Sequence, residues 1–184
     1  MFEAQEKKKI IKPLKKITQK RLLNVALYYL KRFETSTENL KSVLKKRIDK
    51  YAFQNPDYDK SEAYNWVEEI VLDCEKKGYV NDERFAGFRV GAYVNAGKSA
   101  RYIKGKLREK GIDEETIEEL LEEKEYSPFD AALKFAKKKR IGPYRQSEED
   151  RAENKQKDMQ KLAMAGFDYD VVSEVLDFEL EEYI

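Results

Sequence analysis

Arg84, Arg89, Lys98, Arg101, Lys104, Arg108 and Lys110 are the residues of this chain best suited to chemistry, and the chemistry is the binding of an anionic polymer. Residues 84–110 hold eight lysines and arginines and a single acid, Glu109. A second basic block follows at Lys134, Lys137, Lys138, Lys139, Arg140 and Arg145. Such side chains neutralise phosphates and release counterions, so both blocks predict weak, sequence-independent, salt-sensitive DNA binding. Residues 98–110 offer no Asn or Gln for adenine edges, and Arg and Lys alone meet phosphate more often than they specify bases. Reversing Arg101, Lys104 and Arg108 to Glu should abolish function and spare stability. A plainer reading stands beside this one. The stretch 111–125 reverses to eight acids and one lysine, so the bases also suit solvated helix faces with local salt pairs.

Catalytic groups are scarce. The chain has no His, the commonest general base and metal ligand. Cys74 has no His partner and sits mid-helix, which reads as a buried structural thiol. The run Glu114, Glu115, Glu118, Glu119, Glu122 and Glu123 resembles a carboxylate metal cluster only superficially. The same helix must bury Ile117, Leu120 and Leu121, so most of these Glu side chains point to water. No phosphate-binding Gly-rich loop is present. The expectation is a non-enzyme with no metal and no cofactor.

The elements that position the bases follow from a repeat. Ile103, Leu107, Gly111, Asp113, Ile117, Leu120 and Leu121 recur 55 residues later as Asp158, Leu162, Gly166, Asp168, Val172, Val175 and Leu176. Each copy reads as an apolar helix, a terminating Gly, an Asp cap and a second apolar helix. A weaker first copy aligns Leu40 and Leu44, then Val67, Ile70 and Val71, with extra residues near Asn55-Pro56. The fold class expected is all-α: three tandem three-helix repeats at 18–77, 78–125 and 126–184, forming an elongated array behind a basic arm at 1–17.

Nine helices are expected. The first runs from about Thr18 to Phe33 and buries Leu23, Ala26, Leu27, Leu30 and Phe33. Thr35-Ser36-Thr37-Glu38 reads as a capping box for the second. Ser61 or Asp59 caps the third, and Lys77-Gly78 stops it. Asn81-Asp82 opens the fourth, with Phe85, Phe88, Ala92 and Tyr93 inward. Ser99, Asp113 and Ser127-Pro128 start the next three, and the last two lie near 149–165 and 169–180. Residues 142–150 read as a mobile loop.

Composition fits that class. Charged residues make up 40%, with only 8 Gly and 4 Pro. No apolar run suits a membrane span or a signal core, and one cysteine fits a reducing cytoplasm. Residues 1–60 carry 16 bases against 7 acids, so the net charge of +1 hides a segregated surface. In the arm, Ile10, Ile11, Leu14 and Ile17 interleave with lysines, a spacing for a membrane surface or for docking onto the first repeat.

Gly78-Tyr79-Val80-Asn81-Asp82-Glu83-Arg84-Phe85-Ala86 resembles the signature "G-L-hydrophobic-(N/D)-D-x-x-F-A" of the RecX family. Gly97 and Ile103-x-x-x-Leu107-x-x-Lys110-Gly111-Ile112 are similar to the next segment of that family's pattern. Weaker likenesses lie in Arg32-x-x-x-Ser36-x-x-x-Leu40-x-x-x-Leu44 and from Lys155 to Gly166-Phe167. The resemblance covers roughly residues 20–180. It implies three three-helix units and a regulator of the RecA-type recombinase, bound to its filament on single-stranded DNA; a monomer in the cytoplasm is expected beside it. It also implies tuning or inhibition of strand exchange, ATP turnover and co-protease activity in the SOS response. Arg84, Arg89, Lys98, Arg101, Lys104, Arg108, Lys110, Lys137, Lys138 and Arg140 would form the contact face. The alternative is a stand-alone, non-specific nucleic-acid-binding helical protein. Two departures bear on the fold: the first repeat lacks a Gly after Leu44, and Asp158 occupies an apolar slot, which predicts looser packing there.

Overall fold

The structure, a computed structural model, describes residues 14–180. Within them lie nine α-helices, one 3-10 turn and no strand. No helix among these residues is long and apolar enough to cross a membrane. The chain forms two compact units. One comprises the described part of Met1–Glu34 with Asn39–Val80, and the other comprises Thr35–Glu38 with the described part of Asn81–Ile184.

The first unit is built from α1 (Gln19–Leu30), most of α2 (Thr37–Gln54) and α3 (Ser61–Lys76). Its core joins Leu22 and Ala26 to Leu40, Leu44 and Ile48 of α2 and to Val67, Ile70, Val71 and Cys74 of α3. Cys74 is a buried free thiol, pushed up in pKa mainly by that burial. Ile17 is buried in the same core and the Leu14 amide donates to Gln54 Oε1 at 3.2 Å, whereas Ile10 and Ile11 lie outside the described residues. Leu27 and Phe33, expected inside, are exposed. The stripe that packs is Leu22, Ala26, Tyr29 and Leu30, and Leu27 is turned well away from it at 100° per residue. At α3 the cap position falls to Lys60, which makes no side-chain capping bond, rather than to Ser61 or Asp59; the Asp59 carboxylate, one residue earlier, accepts from the Ser61 amide and hydroxyl at 2.9 and 2.8 Å.

The second unit contains α4 (Asp82–Asn95), α5 (Ala100–Arg108), α6 (Glu114–Glu123), α7 (Pro128–Lys139), α8 (Glu148–Met164) and α9 (Tyr169–Asp177). Asn81, Ser99, Asp113, Ser127 and Ser147 each accept a first-turn amide at a helix start. Asp168, the repeat partner of Asp113, occupies the cap position of α9 but makes no capping bond. The unit has two cores. Phe85, Ala86, Val90, Ile103, Leu107, Ile112, Ile117 and Leu121 form one. Ala132, Ala136, Ile141, Leu162, Phe167, Val172, Val175 and Leu176 are central to the other. Phe88 is 69% exposed and Ala92 is also exposed, a correction to the expected inward face of α4. That helix instead buries Phe85, Ala86 and Val90.

Two expectations about the last third are overturned by one contact. Asp158 is fully buried, and its carboxylate takes two bonds from the Arg145 guanidinium at 2.6 and 2.8 Å and one from the Gly142 amide at 2.9 Å. The apolar slot is therefore tightly packed around a satisfied ion pair. Residues 142–150 are not a loose loop: Gly142–Tyr144 form a 3-10 turn with Gly142 and Pro143 buried, and Arg145 also holds Asp150 at 3.0 Å.

Candidate basic interface

The candidate bases sit on elements locked against one another within the second unit. Ser99 is buried at the start of α5, accepts from the Tyr102 amide at 3.3 Å and donates to the Ala165 carbonyl at 2.7 Å. Gly166, at φ +92°, lies so close that a Cβ there would meet Ser99 Oγ at 2.7 Å. Gly97, at φ +65°, brings the α4–α5 turn equally close to α7, where a Cβ would meet that of Lys134 at 2.8 Å. Tyr126 completes the clamp by donating to the Lys98 carbonyl at 3.1 Å. These contacts place the α4–α5 turn beside α7 and the start of α5 beside the α8–α9 turn, and they bring Lys98 of the first basic block and Lys139 of the second to one groove.

Electrostatics divide the bases into two kinds. Lys104 Nζ lies 2.7 Å from Glu118 and 2.9 Å from Glu114. Hydrogen bonds to those two carboxylates hold the ammonium above the ordinary lysine range. Arg108 pairs with Glu114, which is held below its ordinary value first by Lys104 and then by Arg108. Lys106 pairs with Glu109 at 2.9 Å. The acids that follow α5 in sequence thus fold back along it.

The other bases are differently placed. Arg101 makes only a long contact to Asp168, 3.4 Å, with both side chains mostly in solvent. Arg89 lies over the Phe85 ring at 5.4 Å, and Lys98 over the Tyr102 ring at 4.6 Å. Arg84 is exposed and Lys110 half-buried. Lys134, Lys137, Lys138, Lys139 and Arg140 are all exposed, and none has a carboxylate within 4.0 Å among the described residues. Arg140 ends α7 in the left-handed conformation, φ +54°.

Two grooves border these bases. One, of about 360 Å³, is lined by Arg101, Lys104 and Arg108 together with Glu114, Gly166 and Asp168. The other, of about 410 Å³, brings Lys98 together with Lys139, Lys161, Tyr102, Phe135 and Met164. Lys139 belongs to a basic run visible in the sequence, but nothing in the sequence points to Lys161 or Tyr102 as its neighbours. They meet through the Ser99–Ala165 contact.

Comparison with known proteins agrees with this architecture. The family model for the second three-helix domain of RecX matches residues 81–121. The regulatory protein RecX of Myxococcus xanthus is 35% identical over 165 residues, covering 89% of this chain and 88% of its own. The chain belongs to the RecX family. The regulatory protein RecX of Clostridioides difficile is 30% identical over 87% of this chain and 69% of its own length. A solved regulatory protein RecX superposes with a TM-score of 0.62 at 26% identity, over 87% of this chain and 73% of the other. The RecX of Lactobacillus salivarius shares the fold, with a TM-score of 0.58 at 23% identity over 86% of this chain and 96% of the other. In this RecX-family chain the matched segment is the one that carries α4, α5 and α6, including the paired bases Lys104 and Arg108.

Proposed function

We propose that this protein is a cytoplasmic, monomeric regulator that binds a RecA-type recombinase filament on single-stranded DNA and inhibits its strand-exchange, ATPase and co-protease activities, so regulating DNA repair. Membership of a family whose relatives are named regulatory proteins supports the class of function. The physical route rests on one observation: Lys134, Lys137, Lys138, Lys139 and Arg140, on α7 and at its C-terminal end, are exposed cations that no carboxylate of the described chain neutralises. Cations left unpaired in the isolated molecule need not break an internal pair when they meet an anionic partner.

Arg84, Arg89, Lys98, Arg101, Lys104, Arg108 and Lys110 extend this face, with Lys104 and Arg108 partly committed to α6. Repeats bounded at 18–77, 78–125 and 126–184 would each contribute a modest contact, and linked contacts multiply in avidity. Co-sedimentation with RecA filaments on single-stranded DNA, with and without nucleotide, tests the reading. Retention on filaments well above retention on the bare strand is expected. Equal retention on both would favour a stand-alone nucleic-acid-binding protein.

A further inference from the structure

The first unit carries a groove that the basic face of the second does not include. It has a volume of about 570 Å³ and is lined by Thr18, Lys20, Arg21, Asn24, Tyr28 and Arg47 together with Val25. Arg21, Asn24 and Tyr28 follow one another along one side of α1, and Arg47 comes from α2. No acid lines the groove among the described residues. Lys20, Arg21 and Arg47 have no carboxylate within 4.0 Å among the described residues. Arg21 Nε is buried and has no hydrogen-bond partner among the described residues. Arg21 as a whole is half-buried, and an acceptor oxygen entering the groove would satisfy this N–H.

The aromatic at one end adds a second kind of recognition. Tyr28 is 63% exposed, and Arg32 lies over its ring at 5.5 Å while donating to its hydroxyl at 2.7 Å. A cation held against an exposed ring is a stacking platform rather than a core contact. The polar groups Thr18 and Asn24 are neutral, so none of the described lining residues repels a phosphate.

We infer that this groove binds single-stranded nucleic acid, with Arg21 and Arg47 on a phosphate and a base stacked on Tyr28. The site extends the nucleic-acid part of the reading above and is separate from the α5–α7 face. Recognition is independent of sequence, because every base has a stacking face and the cations read only the backbone. Single strands are favoured over duplex, whose bases cannot reach an aromatic ring at the protein surface.

The test measures binding of the full chain to fluorescein-labelled oligothymidylate by anisotropy across a salt series. Arg47→Gln, at an exposed position, and the double change Arg21→Gln/Arg47→Gln should each weaken binding. The log–log salt slope should fall by about 0.7 for each phosphate that is no longer neutralised. Tyr28→Ala should weaken binding roughly fivefold or more, while Tyr28→Phe retains affinity. Tyr28→Ala should have the same effect when added to Lys137→Glu/Lys138→Glu, which separates this groove from α7. Wild-type affinity in Arg47→Gln and Tyr28→Ala would overturn the assignment, as would equal binding of a duplex of the same length. Filament co-sedimentation by the same groove variants reports separately on the recombinase reading. Retention on filaments by a parent chain that does not bind oligothymidylate would sink this inference alone.

Discussion

Lys104 Nζ lies 2.7 Å from the Glu118 carboxylate, so a base of the candidate face is held by an acid of the next helix. The same arrangement joins Arg108 to Glu114. These are folding contacts as well as surface charges. Reversing Arg101, Lys104 and Arg108 to Glu together would set new carboxylates against Glu114 and Glu118. The triple variant is therefore expected to melt at a lower temperature than the parent, contrary to the sequence-based expectation of unchanged stability. Lys104→Ala alone should cost less than about 1 kcal/mol, the ordinary range for surface pairs. Thermal melts followed by circular dichroism check both, and an unchanged melt for the triple variant would count against these pairs.

Arg140 offers a way to separate fold from binding. Its left-handed backbone, φ +54°, is strained for any residue with a Cβ. Arg140→Gly should stabilise the chain by about 1 kcal/mol, offset in part by greater freedom of the unfolded chain. The same change removes an exposed cation and should weaken filament binding. Chemical denaturation beside co-sedimentation reads the two effects, and a variant that is both less stable and equally retained would contradict the argument.

Asp158 and Arg145 predict an acid-sensitive third core. Burial alone would push the Asp158 carboxyl up, but the Arg145 bonds, the Gly142 amide and the nearby Lys161 charge together hold it below its ordinary value. The folded value thus lies below the unfolded one of about 3.9. The ionised form contributes stability that is complete above that value and is lost as pH falls through the lower folded value. Asp158→Asn should cost roughly 3–5 kcal/mol at pH 7, because it leaves a mostly buried guanidinium with a weakened partner. Urea titrations at falling pH should show the gap between parent and variant narrowing below about pH 4. A constant gap would show that Asp158 ionisation contributes nothing.

Local chemistry makes much of this structure readable from the chain alone. Asn81, Ser99, Asp113 and Ser127 cap where their side-chain chemistry says they should, because a cap depends on atoms three residues away. The repeat puts Gly111 and Gly166 at equivalent turns, each followed by a buried Ile112 or Phe167. What escapes the sequence is non-local. Asp158 stands out as an acid in an apolar slot, but its partner sits on a turn 13 residues earlier whose path no local pattern specifies. Phe88 reads as core because it is aromatic, yet the buried stripe of α4 runs through Phe85, Ala86 and Val90. The candidate bases are legible as a group. Which of them are neutralised at home depends on α5 and α6 lying side by side, and that brings Lys104 to Glu118 across 14 residues.

The most direct test of the central claim is RecA-catalysed strand exchange, titrated with the parent and with a Lys137→Glu/Lys138→Glu/Arg140→Glu variant. All three residues are exposed and unpaired among the described residues, so the variant should stay folded and melt only modestly below the parent, by the loss of cations at the C-terminal end of α7. The parent should slow the reaction, and the variant should need about tenfold more protein for the same effect, the equivalent of about 1.4 kcal/mol of weaker binding. Equal inhibition by a folded variant, or no effect of the parent at any concentration, would contradict the account.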